Sequence, residues 1–306
     1  VGFDAATAII GSAKRDQGAS NSAGAAFVFV LEPLNDEIAR ETDMLSAADA
    51  ATNDEFGSAV GLSGDNTLIG LPFADPGADI NAGEVSAFER DPTAQVFDNE
   101  TTLTAGDKTA QDNFGAAVSV DADTTVIGAP DANIGGDADA GGAYVFNRDA
   151  ATGNWNQSVK LDAGGDVNAL DRFGTSVAVD ADIILIGAPF HNPNGTPNGG
   201  AAFLFSRDPG EAAPDQWSAT QKLTAGIDED MDDNFGTSVA LNSDTALVGA
   251  PFENGGGAVF VFVRDPDDNN WNFQQKLTAS DAFPGDQFGH SVSVFGNSAI
   301  IGAPQA

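Results

Sequence analysis

The chain has 306 residues, long for one ordinary domain but within the range that all-β folds reach as single units. Its 46 acidic residues face only 12 basic ones, and a net charge of −34 excludes the phosphate backbone of nucleic acid and anionic membrane surfaces as partners. Without cysteine there are neither disulfides nor thiolate metal sites, and no apolar run approaches the ~20 residues that span a bilayer.

The opening residues VGFDAATAII carry neither a basic start nor a long apolar block, so they do not read as a signal peptide. The stretch IIGSA at 9–13 reads as the end of a strand and AAFVFV at 25–30 as the next one, so the chain starts inside a module at its second strand. From there a phrase recurs about every 58 residues. Phe-Gly pairs stand at Phe56, Phe114, Phe173, Phe235 and Phe288, each followed by a short alternating run and a stop: IGLP at 69–72, IGAP at 127–130, IGAP at 186–189, VGAP at 248–251 and IGAP at 301–304.

Residues 173–225 show one full module. Val177 and Val179 alternate with small or polar neighbours up to the DAD turn at 180–182, and IILIGAP follows, which predicts two strands joined by a tight hairpin. Equivalent turns read SGDN at 63–66, DADT at 121–124, NSDT at 242–245 and FGNS at 295–298, rich in residues that tolerate turn dihedrals. A variable loop leads to a third strand, AAFLFSRDP, with counterparts EVSAFERDP at 84–92, AYVFNRD at 143–149 and AVFVFVRDP at 258–266. A fourth strand carries Trp five residues before a Lys-Leu pair in NWNQSVKLDA (154–163), QWSATQKLTA (216–225) and NWNFQQKLTA (270–279).

Four antiparallel strands per repeat, without helical periodicity, predict the blades of a β-propeller. The phrase KLTASD…GDQFGHSVSVFGNSAIIGAP (276–304) resembles the FG-GAP repeat of bacteria and archaea, a relative of the repeats in the headpiece of integrin α subunits. The expectation is an all-β protein, a single β-propeller domain over residues 1–306 that begins and ends within a repeat, with five to seven blades. The Asp-rich, Lys-poor balance resembles proteins of salt-loving or marine microbes, and such self-repulsion calls for salt or divalent cations.

Two carboxylates recur in every copy. Asp49, Asp107, Asp166, Asp228 and Asp281 stand seven residues before the Phe, and Asp54, Asp112, Asp171, Asp233 and Asp286 two before it. A structural reading has each accept backbone N–H groups in the loop that enters the blade, which needs only one carboxylate. A functional reading has each pair help to bind Ca²⁺, which takes six to eight oxygens, more than the pair supplies. The segment DEDMDD at 228–233 is the exception, since Asp230 and Asp232 beside Asp228 and Asp233 would complete a cation site. Asp137 and Asp139, before Gly141, form a second candidate, against the alternative of a solvated turn. In integrins the calcium loop is a DxDxDG-type segment between the Phe-Gly and Gly-Ala-Pro halves. Here that place holds only short turns, so the family's calcium site does not carry over.

Arg90, Arg148, Arg207 and Arg264 each precede Asp at the end of strand three, and Lys160, Lys222 and Lys276 recur on strand four, a pattern of ion pairing or turn bonding that leaves no basic ligand patch. His191 and His290 are the only histidines, and His290 stands at the freely varying place after Phe-Gly held by Ser58, Ala116, Thr175 and Thr237 elsewhere, a lone histidine without an orienting partner, so the chain does not read as an enzyme. An enzyme would need a cleft with carboxylates of unlike pKa. The resemblance implies instead an extracellular or cell-surface module that binds a surface protein or a glycan. The loops 73–83, 131–141 and 190–200 differ most between copies and are the expected contact sites. The alternative is a structural unit of a surface layer or filament, self-assembled through acidic faces bridged by cations.

Overall fold

The computed structural model describes residues 1–306 apart from 5, 32–38, 92, 95, 209 and 211–215. Pro92 and Pro209, which close two of the strand-three phrases, lie outside the described residues.

The protein is all-β and built of four-stranded antiparallel blades of the propeller type, each in simple up-and-down order. The first sheet holds β1 (Gly2–Asp4), β2 (Thr7–Ser12), β3 (Ala25–Leu31) and β4 (Ala39–Leu45), and the second β5 (Val60–Ser63), β6 (Asn66–Leu71), β7 (Glu84–Arg90) and β8 (Phe97–Leu103). The third comprises β9 (Ala117–Asp121), β10 (Thr124–Ala129), β11 (Gly142–Arg148) and β12 (Trp155–Leu161). In the fourth are β13 (Ser176–Asp180), β14 (Ile183–Ala188), β15 (Ala201–Arg207) and β16 (Trp217–Leu223), and in the fifth β17 (Ser238–Asn242), β18 (Thr245–Ala250), β19 (Ala258–Arg264) and β20 (Trp271–Leu277). A two-stranded sheet of β21 (Ser291–Phe295) and β22 (Ser298–Gly302) follows.

The first sheet corrects the expectation that the chain opens on strand two. Gly2 pairs with Ile9 and Asp4 with Thr7, so β1 supplies the inner strand. Three residues are too few to show an alternation, and no Phe-Gly announces them.

Two compact units divide the chain: residues 1–132 with 144–158, and 133–143 with 159–306. In the first, inner strand β1 lies beside β5 and β5 beside β9; in the second, β13 lies beside β17 and β17 beside β21. The cores sit between neighbouring sheets. Ile9, Val28, Phe56 and Ile69 share one cluster, Leu68, Phe114, Ile127 and Tyr144 another, and Leu185, Leu204, Phe235, Val248 and Phe260 a third. Strand two is apolar at nearly every position because both its faces are covered: all six residues of β14 are buried. In outer strand β16 only Trp217 and Leu223, its two ends, are buried.

The recurring Phe-Gly phrase is explained by how one blade meets the next. The four aromatic rings of Phe56, Phe114, Phe173 and Phe235 are wholly buried, each worth roughly 1.5–3 kcal/mol of removal from water. They pack edge-on against strand three of their own blade, as in Phe114–Tyr144 (5.5 Å), Phe173–Phe203 (5.6 Å) and Phe235–Phe260 (5.3 Å between centroids). The following glycine donates its N–H to the glycine carbonyl of the Gly-Ala-Pro stop, from Gly57 to Gly70, Gly115 to Gly128, Gly174 to Gly187, Gly236 to Gly249 and Gly289 to Gly302, at 2.9–3.1 Å. The stop glycine in turn abuts the next blade. A Cβ on Gly11, Gly70, Gly187 or Gly249 would collide with the carbonyl of Gly57, Gly115, Gly236 or Gly289. Close backbone approach, rather than turn formation, is what requires glycine there.

The arginines clamp the hairpins between strands one and two. In the hairpins of the second to sixth sheets the first loop residue is left-handed, at Gly64, Ala122, Ala181, Ser243 and Gly296 (φ 49–56°), and the second is Asp or Asn. The carbonyl of that second residue accepts the N–H of the strand-three arginine: Arg90 to Asp65, Arg148 to Asp123, Arg207 to Asp182 and Arg264 to Asp244, at 2.8–2.9 Å. The guanidinium also faces the aspartate side chain, at 3.5 Å for Arg148–Asp123 and 3.8 Å for Arg90–Asp65. The expected ion pairing and turn bonding are both present.

Candidate functional site

The loops that enter each blade carry the recurring carboxylates. The aspartate two residues before the Phe accepts, in all five copies, the backbone N–H three residues upstream: Ala51 to Asp54 (2.7 Å), Thr109 to Asp112 (2.6 Å), Asn168 to Asp171 (2.8 Å), Asp230 to Asp233 (2.7 Å) and Phe283 to Asp286 (2.7 Å). Asp112 also accepts the Thr109 hydroxyl at 2.7 Å. Asp54, Asp112, Asp171 and Asp233 are buried, so these charge-assisted bonds tie an exposed loop to carboxylates that are shielded from water.

In three blades the aspartate seven before the Phe faces strand four or strand three of the same blade. Asp166 pairs with Lys222 at 2.8 Å and Asp228 with Lys276 at 3.5 Å, while the charge of Asp107 acts on the Tyr144 hydroxyl. Burial, followed by the charge of Asp107, pushes the Tyr144 hydroxyl well above its ordinary range.

The loop between strands two and three is framed by a device of its own. A side-chain oxygen accepts the N–H of the residue six positions later: Asp16 from Ser22, Asp75 from Asn81, Asn133 from Asp139 and Asn192 from Asn198, at 2.7–3.1 Å. Each donor residue is left-handed (φ 50–52°), which accounts for the Ser, Asn and Asp found there. Asp139 therefore stands at a conformational position, and Asp137 exchanges backbone hydrogen bonds with Ile134 across the exposed turn.

In two blades the buried entry aspartate meets a second ionisable group. His191 Nδ1 lies 2.8 Å from Asp171 Oδ2, both side chains almost fully buried, with the imidazole edge-on to Phe203. Glu253 occupies the matching place in the fifth blade. It hydrogen-bonds Asp233, and its Oε1 receives the Lys276 ammonium and the Asn254 amide. Burial first, then the Asp233 partner, raises the Glu253 carboxyl to about 7, against the opposing effect of Lys276.

A third carboxyl cluster marks the second blade. There Ser86 stands where Tyr144, Phe203 and Phe260 fill other blades, and its hydroxyl donates to Glu100 at 2.7 Å. The entry loop of the same blade borders a cavity of about 120 Å³ lined by Asp49, Thr52, Asp54, Ala74, Asp75 and Glu84. Burial and the neighbouring charges of Asp49, Asp54 and Glu100 push Glu84 up to about 7, with Lys108 acting in the opposite sense.

The four aspartates of 228–233 do not converge. Asp228 is drawn to Lys276, Asp232 accepts the Asn198 amide at 2.8 Å, and Asp233 turns inward to Glu253. Among the described residues, no three His, Cys, Asp or Glu side chains are grouped to hold a metal ion. Neither the aspartates of 228–233 nor Asp137 and Asp139 belong to such a group. Sequence reasoning missed Glu253, the His191–Asp171 contact and the side-chain frame of the second loop. The frame alone had a readable signal, an Asp or Asn eight residues before the glycine that leads into strand three, present in the first four blades and absent before Gly257.

A family model for the FG-GAP repeat matches residues 40–88, 97–146, 155–205, 217–262 and 271–306, well over half of the chain. The chain belongs to the FG-GAP repeat family. Each matched segment but the last opens on strand four of one blade and closes on strand three of the next, so the FG-GAP sequence unit is out of phase with the sheets and joins consecutive blades. No curated protein matches the chain closely enough to count as a relative. Among the described residues no helix is long and apolar enough to cross a membrane.

Proposed function

We propose that this FG-GAP protein is a non-catalytic extracellular or cell-surface module that captures a surface protein or a glycan through its loops between strands two and three. The observation that carries this reading is the frame of those loops. Asp16, Asp75, Asn133 and Asn192 each fix the loop at a residue six positions on, and the intervening residues 17–21, 76–80, 134–138 and 193–197 differ freely in sequence. Variable segments on a fixed support are suited to recognition. The recurring charges are engaged within the fold, and Glu253, a carboxyl suited by pKa to proton transfer, is buried and bonded within its loop, which favours binding over catalysis.

The test is capture of ligands from panels of glycans and surface proteins by the purified chain, followed by exchange of residues 193–197 for 134–138. Binding that follows the exchanged segment supports the proposal. Polymerisation on adding divalent cations, with no ligand captured, favours instead the structural unit of a surface layer.

A further inference from the structure

In the second compact unit, four large apolar side chains stand in water on loops whose backbones are hydrogen-bonded in place. Ile227 is fully exposed, Phe283 71 %, Met231 63 % and Phe252 45 % exposed. They belong together. Lys276 holds both Asp228 and Glu253, the chain neighbours of Ile227 and Phe252, and Asp233, two residues beyond Met231, bonds the same Glu253. Phe283 walls a cavity of about 390 Å³ with Glu253, Asn254, Thr278, Ala279 and Pro284, and the Gly285 N–H donates to the Gly255 carbonyl at 2.7 Å, fixing the two loops to each other.

Exposed rings and methionine on loops tied together, with one of the rings walling a cavity, mark an interaction surface rather than a solubilising one. The charges around them define the partner. Exposed Asp230, Asp232 and Asp281 lie on the same loops, and the lysine present, Lys276, is engaged by Asp228 and Glu253. An acidic border around apolar anchors complements a cationic polypeptide with apolar side chains and repels an acidic one. We infer that the surface formed by Ile227, Met231, Phe252 and Phe283 docks a basic, amphipathic polypeptide segment, with an apolar side chain seated in the cavity beside Phe283. This rests on the reading of the protein as a binding module and names the partner chemistry of one surface.

The test titrates the full chain with three synthetic peptides of equal length: Lys/Leu, Lys/Ser and Glu/Leu. The Lys/Leu peptide should bind about tenfold or more tightly than Lys/Ser, and Glu/Leu should not bind. Combined Ile227→Ser, Phe252→Ser and Phe283→Ser should reduce Lys/Leu to the Lys/Ser level. If that variant does not fold, Ile227→Ser alone, at a fully exposed position, should weaken Lys/Leu severalfold. Equal binding of Lys/Leu and Lys/Ser, binding of Glu/Leu, or full retention of Lys/Leu by a folded variant overturns the inference. The two readings fail separately. A chain that captures a partner through residues 193–197 but ignores Lys/Leu loses only this surface, and one that captures nothing from the panels yet binds Lys/Leu here loses only the broader proposal.

Discussion

Glu253 hydrogen-bonds Asp233 inside the fifth blade, one buried carboxyl against another, where the fourth blade sets His191 against Asp171. Two carboxyls in contact need a proton between them, and burial keeps it on Glu253 up to about pH 7. The unfolded chain releases that proton near 4.5. The stabilisation from this group is therefore complete below 4.5, declines as pH rises from 4.5 to about 7, and is absent above. Glu253→Gln keeps a donor toward Asp233 and an acceptor for Lys276, so the variant should lose this part of the pH dependence in urea unfolding between about pH 4.5 and 8. An unchanged slope would contradict the shared proton.

Removing an entry aspartate takes away a charged acceptor that ties the exposed entry loop down. Asp112→Ala strands the Thr109 N–H and hydroxyl and should cost about 2–3 kcal/mol in urea unfolding, whereas Asp112→Asn, which keeps one acceptor oxygen, should cost about half of that. A cost below about 0.5 kcal/mol for the alanine variant would show that the loop does not depend on the carboxylate.

Glycines divide by what surrounds them. At Gly187 a Cβ would meet the Gly236 carbonyl and Ser176 Oγ, so Gly187→Ala should destabilise by about 3 kcal/mol or more. At Gly165 a Cβ meets nothing, and Gly165→Ala should be neutral or stabilise by about 0.4–1 kcal/mol. Thermal melts of the two variants check the contrast.

Net charge gives a separate expectation. With −34 on the chain, raising NaCl from low ionic strength toward about 1 M, where the screening length falls to about 3 Å, should raise Tm. Because the described carboxylates make no metal-holding group, a chelator should leave Tm unchanged at each salt level. A fall in Tm with chelator would reveal a bound cation.

Much of the fold was legible because its constraints repeat. Phe173 and Gly174, the 186–189 stop and Arg207 each have counterparts in other copies, so comparison within the chain separated constant positions from variable ones. β1 was not legible, since three residues show no period. The exceptions escaped for the opposite reason. Glu253 and His191 occupy a place held by Ala74 and Ala132 in other blades, and Ser86 a place held by aromatics, so each looked like tolerated variation. Only the structure shows the buried Asp233 and Asp171 that face the first two, or the Glu100 carboxylate that the third bonds. The carboxylates of 228–233 were legible as a cluster, but neighbours in sequence were drawn to different partners in space.

The central claim is that the Phe-Gly phrase repeats because a buried ring and a glycine pressed against the preceding blade fix the turn whose N–H locks onto the stop glycine of its own blade. Amide hydrogen exchange at Gly57, Gly115, Gly174, Gly236 and Gly289 measures that lock residue by residue. All five should exchange about a thousandfold or more slowly than Gly135 in its exposed loop. Exchange at these five as fast as at Gly135 would contradict the account.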